Sequence, residues 1–121
     1  MSRTVAVLGA SSQADRYSNK AVRMLLEHGH RVIPVNPGLR EVAGQTAVAS
    51  LSAITDTVDT LTVYVAPERL AALLPDILGL RPARVILNPG TESPAVEAAL
   101  STAGIPWRHA CTLVLLRSGQ F

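Results

Sequence analysis

The fold is decided by residues 4–12, TVAVLGASS. The apolar run Val5–Leu8 is short and stops at Gly9, a pattern typical of a strand buried on both faces of a parallel sheet. Apolar residues then recur at helical spacing from about Ser18 to His28, which predicts an amphipathic helix. Because Arg31–Val35 has the composition of a second strand, the segment as a whole is predicted to form a β-α-β unit.

The rest of the chain repeats this alternation. Further strands are predicted at Leu61–Val65, Val85–Leu87 and Ile105–His109, further helices at Pro67–Gly79 and Val96–Ala103 (ended by Gly104), and only a short helix or turn within residues 39–57. Strands that alternate with amphipathic helices predict an α/β fold with a doubly wound, mostly parallel, five-stranded Rossmann-like sheet and helices on both faces. The length of 121 residues predicts a single domain over residues 1–121. Ligands of such folds bind at the carboxyl ends of the strands.

Composition excludes several classes of function. No apolar run approaches the roughly 20 residues of a membrane-spanning helix, and no secretory signal precedes the first strand, so we expect a cytoplasmic protein with no membrane partner. Aromatic residues make up 3% of the chain, too few for the stacking surfaces of single-stranded nucleic-acid binders, so no nucleic-acid partner is expected. The lone Cys111 excludes an internal disulfide and a multi-cysteine metal site, and we expect no metal.

Positive charge is concentrated in the first 40 residues, which carry six Lys or Arg against two acids. Within them, the small residues Gly9–Ser12 would let backbone amides approach a diphosphate, although any tight turn favours the same residues. Ser18 and Asn19 stand at the predicted helix start, where they cap the helix, contact phosphate, or do both. Arg16 and Lys20 add positive charge nearby. The segment therefore predicts a phosphate-rich ligand.

The turn after the second predicted strand argues against a nicotinamide dinucleotide. An NAD site of this fold needs G-x-G-x-x-G after the first strand and an acidic residue about 20 residues further on. This chain lacks the second and third glycines, and Asn36-Pro37-Gly38 occupies the place of the acid. The same tripeptide returns as Asn88-Pro89-Gly90, and turn chemistry and a place on the binding edge explain both copies equally well. The uncharged Val65-Ala66-Pro67 suits either an adenine ring or a buried loop.

Candidate catalytic residues are few. His109 and Cys111 fall near the end of the last predicted strand and on one face of it, but no neighbouring residue supplies a carboxylate to orient a histidine base. Glu92 is explained better as a favourable charge in the first turn of a helix than as a contact to a ligand amide. His28 and His30 flank a helix-ending glycine at the opposite edge of the sheet. We therefore predict no catalytic residues and no enzyme activity.

Four segments carry a resemblance to a known family: VAVLGASS from Val5, SNKAV from Ser18, GHRVIPVNP from Gly29 and VYVAP from Val63. With them the chain resembles the small stand-alone CoA-binding domain proteins, which are related to the nucleotide-binding domain of the succinyl-CoA synthetase α subunit. The resemblance implies four groups of contacts: the diphosphate with Gly9, Ala10, Ser11 and Ser12; further polar contacts with Ser18 and Asn19; the adenosine with Asn36, Pro37, Val65, Ala66 and Pro67; and the pantetheine arm with Asn88, Pro89 and Gly90. The tail from Ala110 to Phe121 departs from the family pattern.

The resemblance implies binding without ligation, because the phosphorylated histidine of the ligase relatives belongs to a second domain. The leading hypothesis is therefore a non-catalytic domain that binds coenzyme A or acyl-CoA as a carrier or sensor, acting through an unidentified protein partner. Two alternatives stay open: an NAD(P)-binding redox enzyme or sensor on the same fold, and an oligomeric scaffold without ligand. The apolar tail Thr112–Leu116 either packs against a second copy or completes the core.

Overall fold

A computed structural model describes residues 2–121. The elements in chain order are β1 (Thr4–Leu8), α1 (Tyr17–Glu27), β2 (Arg31–Val35), β3 (Glu41–Val42), β4 (Gln45–Thr46), β5 (Thr60–Val63), α2 (Pro67–Ala72), α3 (Leu74–Leu80), β6 (Arg84–Leu87), α4 (Pro94–Thr102), β7 (Trp107–His109) and α5 (Thr112–Arg117). Five of the strands form one parallel sheet in the order β2-β1-β5-β6-β7. This confirms the predicted fold class. The winding direction switches between β1 and β5, which places a binding crevice there.

Side chains alternate between the two faces of the sheet and build a core on each. Along β1, Ala6 and Leu8 face the larger core, which includes Leu70 and Ile77 from α2 and α3. Val5 and Val7 face the smaller core, which contains residues of α1 and Leu116 of α5. The apolar tail thus forms a helix that was not predicted from the sequence, and its buried residues help complete the core. None of the helices within residues 2–121 is long and apolar enough to cross a membrane.

Several predicted boundaries were wrong. The single helix predicted at Pro67–Gly79 is two helices joined at Leu73, because Pro75 lies in the first turn of α3 and has no amide hydrogen to donate back to the preceding turn. Gly79 lies inside α3, which ends at Leu80 and is followed by Arg81 in the left-handed conformation. The third sheet strand covers Thr60–Val63 and leaves Val65 in the following turn. In the segment 39–57 the predicted short helix or turn is confirmed as a 3-10 helix at Leu51–Ala53, whereas the β3–β4 hairpin was not predicted.

Gly9 brings the turns after β1 and β5 together. Its φ is +87°, and a Cβ atom there would lie 2.8 Å from Val65 Cγ1 and 3.0 Å from the Tyr64 carbonyl oxygen. The position therefore requires glycine for two reasons, its backbone conformation and the lack of space. Both turns belong to the crevice at the switch in winding direction.

Candidate functional site

Two clefts open at the carboxyl edge of the sheet. Cleft A, of about 390 Å³, is lined by Gly9, Ala10, Ser11, Gln13, Arg16, Tyr17, Ser18, Asn36 and Tyr64. Cleft B, of about 180 Å³, is lined by Leu8, Gly9, Val35, Asn36, Pro37, Ala49, Ser50, Leu51, Val65, Arg69 and Leu73. Gly9 and Asn36 line both, so the clefts adjoin and together form one elongated site.

The turn after β1 is held by hydrogen bonds from inside the protein. The amides of Gly9 and Ala10 both donate to the Val35 carbonyl, at 3.1 and 3.2 Å, so neither is free to bind a ligand as the sequence suggested. Asn36 Nδ2 donates to the Ala10 carbonyl at 2.8 Å, and Asn36 Oδ1 accepts from the Gly38 amide at 2.7 Å. Asn36 therefore ties the turn after β2 to the turn after β1.

The start of α1 offers the free backbone donors of cleft A. Its N-cap residue is Arg16, which makes no side-chain capping bond. Within residues 2–121, no acceptor receives the amides of Tyr17, Ser18 or Asn19. These donors, with the partial positive charge of a helix N-terminus, form a local site for an anion.

The side chains of Ser18 and Asn19 do not cap α1, because they lie inside its first turn. Asn19 Nδ2 donates to the Ser11 carbonyl at 2.8 Å, and Asn19 Oδ1 accepts from Arg23 Nε at 2.8 Å. Asn19 thus bonds the turn after β1 to α1, and it does not line either cleft. Ser18 is buried and lines cleft A, where its hydroxyl adds a donor.

Arg16 gives cleft A its charge. Its guanidinium bonds to Gln13 Oε1 at 3.2 Å and forms no ion pair with any acid in the part of the chain that the structure describes. Lys20 lies outside both clefts, with its ammonium 5.4 Å from the centre of the Tyr17 ring. Ser12 is exposed on the rim and lines neither cleft.

Tyr64 lies in the wall of cleft A, a position that sequence reasoning missed. Its hydroxyl is buried and has no hydrogen-bond partner among residues 2–121. Burial raises the pKa of Tyr64 to about 12, so the phenol is neutral at physiological pH. Gln13 and the exposed Tyr17 were missed as well, since neither residue type has a pattern that marks a ligand contact.

Cleft B has a different character, because its walls are mainly apolar. They come from the ends of β1 and β2, from residues 49–51 and from Val65 and Leu73. Pro37 lines this cleft, whereas Ala66 and Pro67 form the start of α2 and do not line it. Arg69 of α2 is the charged residue of the lining and was not singled out from the sequence. The cleft suits a flat apolar ring with a polar group at its rim.

The second Asn-Pro-Gly turn makes its side-chain hydrogen bonds within the core and lines neither cleft. Asn88 is buried, donates to Thr62 Oγ1 at 2.7 Å and to the Val63 carbonyl at 2.9 Å, and accepts from the Thr112 amide at 2.9 Å. These bonds use both amide hydrogens and join β5, β6 and α5. Pro89 and Gly90 are exposed, and no residue of the turn lines cleft A or cleft B.

His109 has a carboxylate partner that lies too far away in the sequence to have been recognised. Its Nε2 atom lies 2.8 Å from Glu97 Oε2, which also accepts from the Ser93 amide at 3.0 Å. The expectation that His109 and Cys111 share one face of a strand was wrong, because β7 ends at His109 and Cys111 precedes α5. Glu92 lies before the N-cap residue of α4 and accepts from the Gly90 amide at 3.1 Å, so it is not in the first helical turn.

His30 lies at the amino edge of the sheet, away from both clefts. Its Nδ1 atom accepts from the Arg3 amide at 3.1 Å. Burial and the nearby Arg3 charge lower the pKa of His30. Within residues 2–121, no three His, Cys, Asp or Glu residues form a group that could hold a metal ion.

Comparison with known proteins matches the chain to one family. Residues 3–117 match the family model described as CoA binding domain. A crystal structure of an uncharacterized protein superimposes with a TM-score of 0.94 at 39% identity and covers 100% of this chain and 99% of its own. A second structure, cell-free ID.343 from Thermus thermophilus, has a TM-score of 0.91 at 40% identity and covers 98% of this chain and 90% of its own. The uncharacterized protein YneT of Bacillus subtilis (strain 168) is 34% identical over 77 residues, which are 64% of this chain and 57% of that relative.

Proposed function

Since the chain belongs to the CoA-binding domain family, we propose that it binds coenzyme A or an acyl-CoA across clefts A and B and performs no chemistry on the bound molecule. The pyrophosphate would lie in cleft A and the adenosine in cleft B. The observation that carries the proposal is the uncapped start of α1, which directly adjoins an apolar cleft through Gly9 and Asn36. An anion site beside an apolar slot matches a ligand with phosphates next to an aromatic base.

The pyrophosphate would be bound by backbone and side-chain donors together. The free amides of Tyr17, Ser18 and Asn19 point from the helix start, and the Ser18 hydroxyl and Arg16 guanidinium line the same cleft. The small residues of the Gly9–Ser12 turn would let the pyrophosphate lie close to the backbone. The amides of Gly9 and Ala10 would not bind it, because they already donate to the Val35 carbonyl. Lys20 would contribute charge at longer range.

The adenosine would enter cleft B between the turn after β2 and helix α2. Val35, Leu51 and Val65 are buried and would contact the base, while Pro37 would cover it from the rim. Ala66 and Pro67 would act by setting the direction of α2. The pantetheine arm would leave over the Asn88-Pro89-Gly90 turn, whose exposed Pro89 and Gly90 leave space for it.

The end of β2 argues against the NAD form of the redox alternative. The residue at the end of β2 is Asn36, whose amide group is already bonded to the Ala10 carbonyl and the Gly38 amide. A ribose 2′-hydroxyl placed there would find no carboxylate acceptor. CoA also has a free 2′-hydroxyl, but its ribose carries a 3′-phosphate that NAD⁺ lacks and through which it would be anchored instead.

Thermal shift with CoA, NAD⁺ and ATP at equal concentrations tests the proposal. A ligand that binds the folded state raises its melting temperature. If the proposal is right, CoA or acyl-CoA raises it clearly and the other two ligands do not. Calorimetry should then give a 1:1 complex of CoA with the protein. A shift with NAD⁺ alone would favour the redox alternative, and no shift with any ligand would favour a scaffold. Mass spectrometry of acyl-CoA after prolonged incubation should show the thioester intact if the domain is a carrier or sensor.

A further inference from the structure

We infer that Arg69 recognises the 3′-phosphate of the adenosine in cleft B and so distinguishes CoA from nucleotides with an unmodified ribose. The inference rests on the proposed function, and it assigns a specificity-determining role to a residue of α2. Cleft A accounts for the pyrophosphate of CoA, NAD⁺ and ADP alike. Discrimination among these ligands must therefore arise on the nucleoside side, where their phosphates differ.

The lining of cleft B contains one suitable group. Of its eleven lining residues, Arg69 alone carries a charge. The side chain is exposed and forms no ion pair with an acid within residues 2–121, so its guanidinium is available to an anion. Apart from Asn36 and Ser50, the other lining residues have no polar side chain, and a phosphate dianion placed against them would lose its hydration without compensation. Among the lining residues, only Arg69 offers the phosphate a positive charge.

The position of Arg69 fits a ligand that already spans the two clefts. A nucleotide with its 5′-phosphates in cleft A must pass its ribose over Gly9 and Asn36, the residues that both clefts share. Its base then lies between Pro37 on one side and α2 on the other, and Arg69 extends from α2 into the same space. A planar guanidinium offers two parallel donors to phosphate oxygens, which gives geometric selectivity as well as charge.

Calorimetric titration of the wild type, Arg69→Gln and Arg40→Gln proteins with two ligand pairs tests the inference. The pairs are CoA with dephospho-CoA, and adenosine 3′,5′-bisphosphate with AMP. Arg40 is the matched control, because it is exposed near the turn after β2 but does not line cleft B, and its substitution removes the same charge. Circular dichroism and thermal melting of each variant without ligand establish that it is folded.

The wild type should prefer the 3′-phosphorylated member of each pair by about tenfold or more. Arg69→Gln should remove most of this preference while it changes the affinity for dephospho-CoA and AMP less than about twofold, and Arg40→Gln should keep the preference. Equal weakening of both members of a pair by Arg69→Gln, or an unchanged preference, would overturn the role of Arg69 and leave CoA binding intact. Wild-type protein that binds neither CoA nor dephospho-CoA would instead overturn the proposed function, and the assignment of Arg69 with it.

Discussion

The turn and helix after β1 differ from the turn and helix after β6, although both lie at the carboxyl edge of one sheet. Helix α4 is capped by its own residues: Ser93 Oγ accepts from the Val96 amide, and Glu97 accepts from the Ser93 amide. Helix α1 has Arg16 as its N-cap residue, no capping side chain and no acid in its first turn. A helix start whose amides are bonded within the protein contributes stability, whereas one with free amides beside a cleft is suited to an external anion.

The largest effect is expected from alanine at Gly9, in the turn after β1, with Gly90 of the turn after β6 as its matched control. Gly9 and Gly90 have similar φ angles of +87° and +92°, but a Cβ atom has no neighbour within 4 Å at Gly90 and would clash with Val65 at Gly9. Gly90→Ala should lower the free energy of unfolding by about 1 kcal/mol through backbone strain alone. Gly9→Ala should lower it by roughly 3 kcal/mol, since the clash adds to the strain, and should reduce CoA affinity about a hundredfold. Urea unfolding and calorimetry measure both quantities, and equal costs at the two positions would contradict the role given to Gly9.

Asn88→Ala removes hydrogen bonds that hold the turn after β6. The change leaves the Thr112 amide and the Val63 carbonyl without their side-chain partner in a buried region. Because each unsatisfied buried group is costly, we expect the free energy of unfolding to fall by about 2–3 kcal/mol in urea titrations. Pro89 is exposed in the same turn, and Pro89→Ala should lower the free energy of unfolding by less than about 1 kcal/mol. A mild effect of Asn88→Ala would show that water replaces the lost amide.

Tyr17→Glu makes the start of α1 resemble that of α4. Tyr17 is 69% exposed in the first turn of α1 and lines cleft A, so the new carboxylate would lie beside the free amides. The free protein should gain about 0.5 kcal/mol of stability from the helix dipole, while CoA affinity should fall roughly tenfold by repulsion of the phosphates. Tyr17→Gln is the matched neutral control. If the two variants bind CoA equally, the anion does not lie at this helix start.

The smallest expected effect concerns the buried hydroxyl of Tyr64 at high pH. The pKa of Tyr64 is raised to about 12, mainly by burial, so the folded state binds its proton more tightly than the unfolded state. Stability from this group is complete below the unfolded pKa of about 10 and is lost as the pH rises toward the folded value. Between about pH 9 and about pH 11, the wild type should therefore lose about 1 kcal/mol more than Tyr64→Phe in urea unfolding. Parallel pH profiles of the two proteins would contradict this.

The sequence predicted the β1-α1-β2 unit well because periodicity and the stop at Gly9 are local signals. It could not predict the two-residue strands β3 and β4, which are too short to show a period. In the candidate site, the sequence identified the turns, but it did not show which of their polar groups are hydrogen-bonded within the protein. Whether the Gly9 amide or the Asn88 side chain is free depends on partners far away in the chain, Val35 and Thr112. Tyr64 and Arg69 were missed for a related reason, since only the folded chain shows which clefts they line.

The unsatisfied start of α1 has a consequence for the life of the protein in a cell. An anion that satisfies those amides stabilises the folded chain by mass action, so the ligand-bound form opens less often than the empty form. Proteases that cleave transiently opened chains would then remove the empty form faster. The abundance of the protein would follow the supply of its ligand, without any regulator of synthesis.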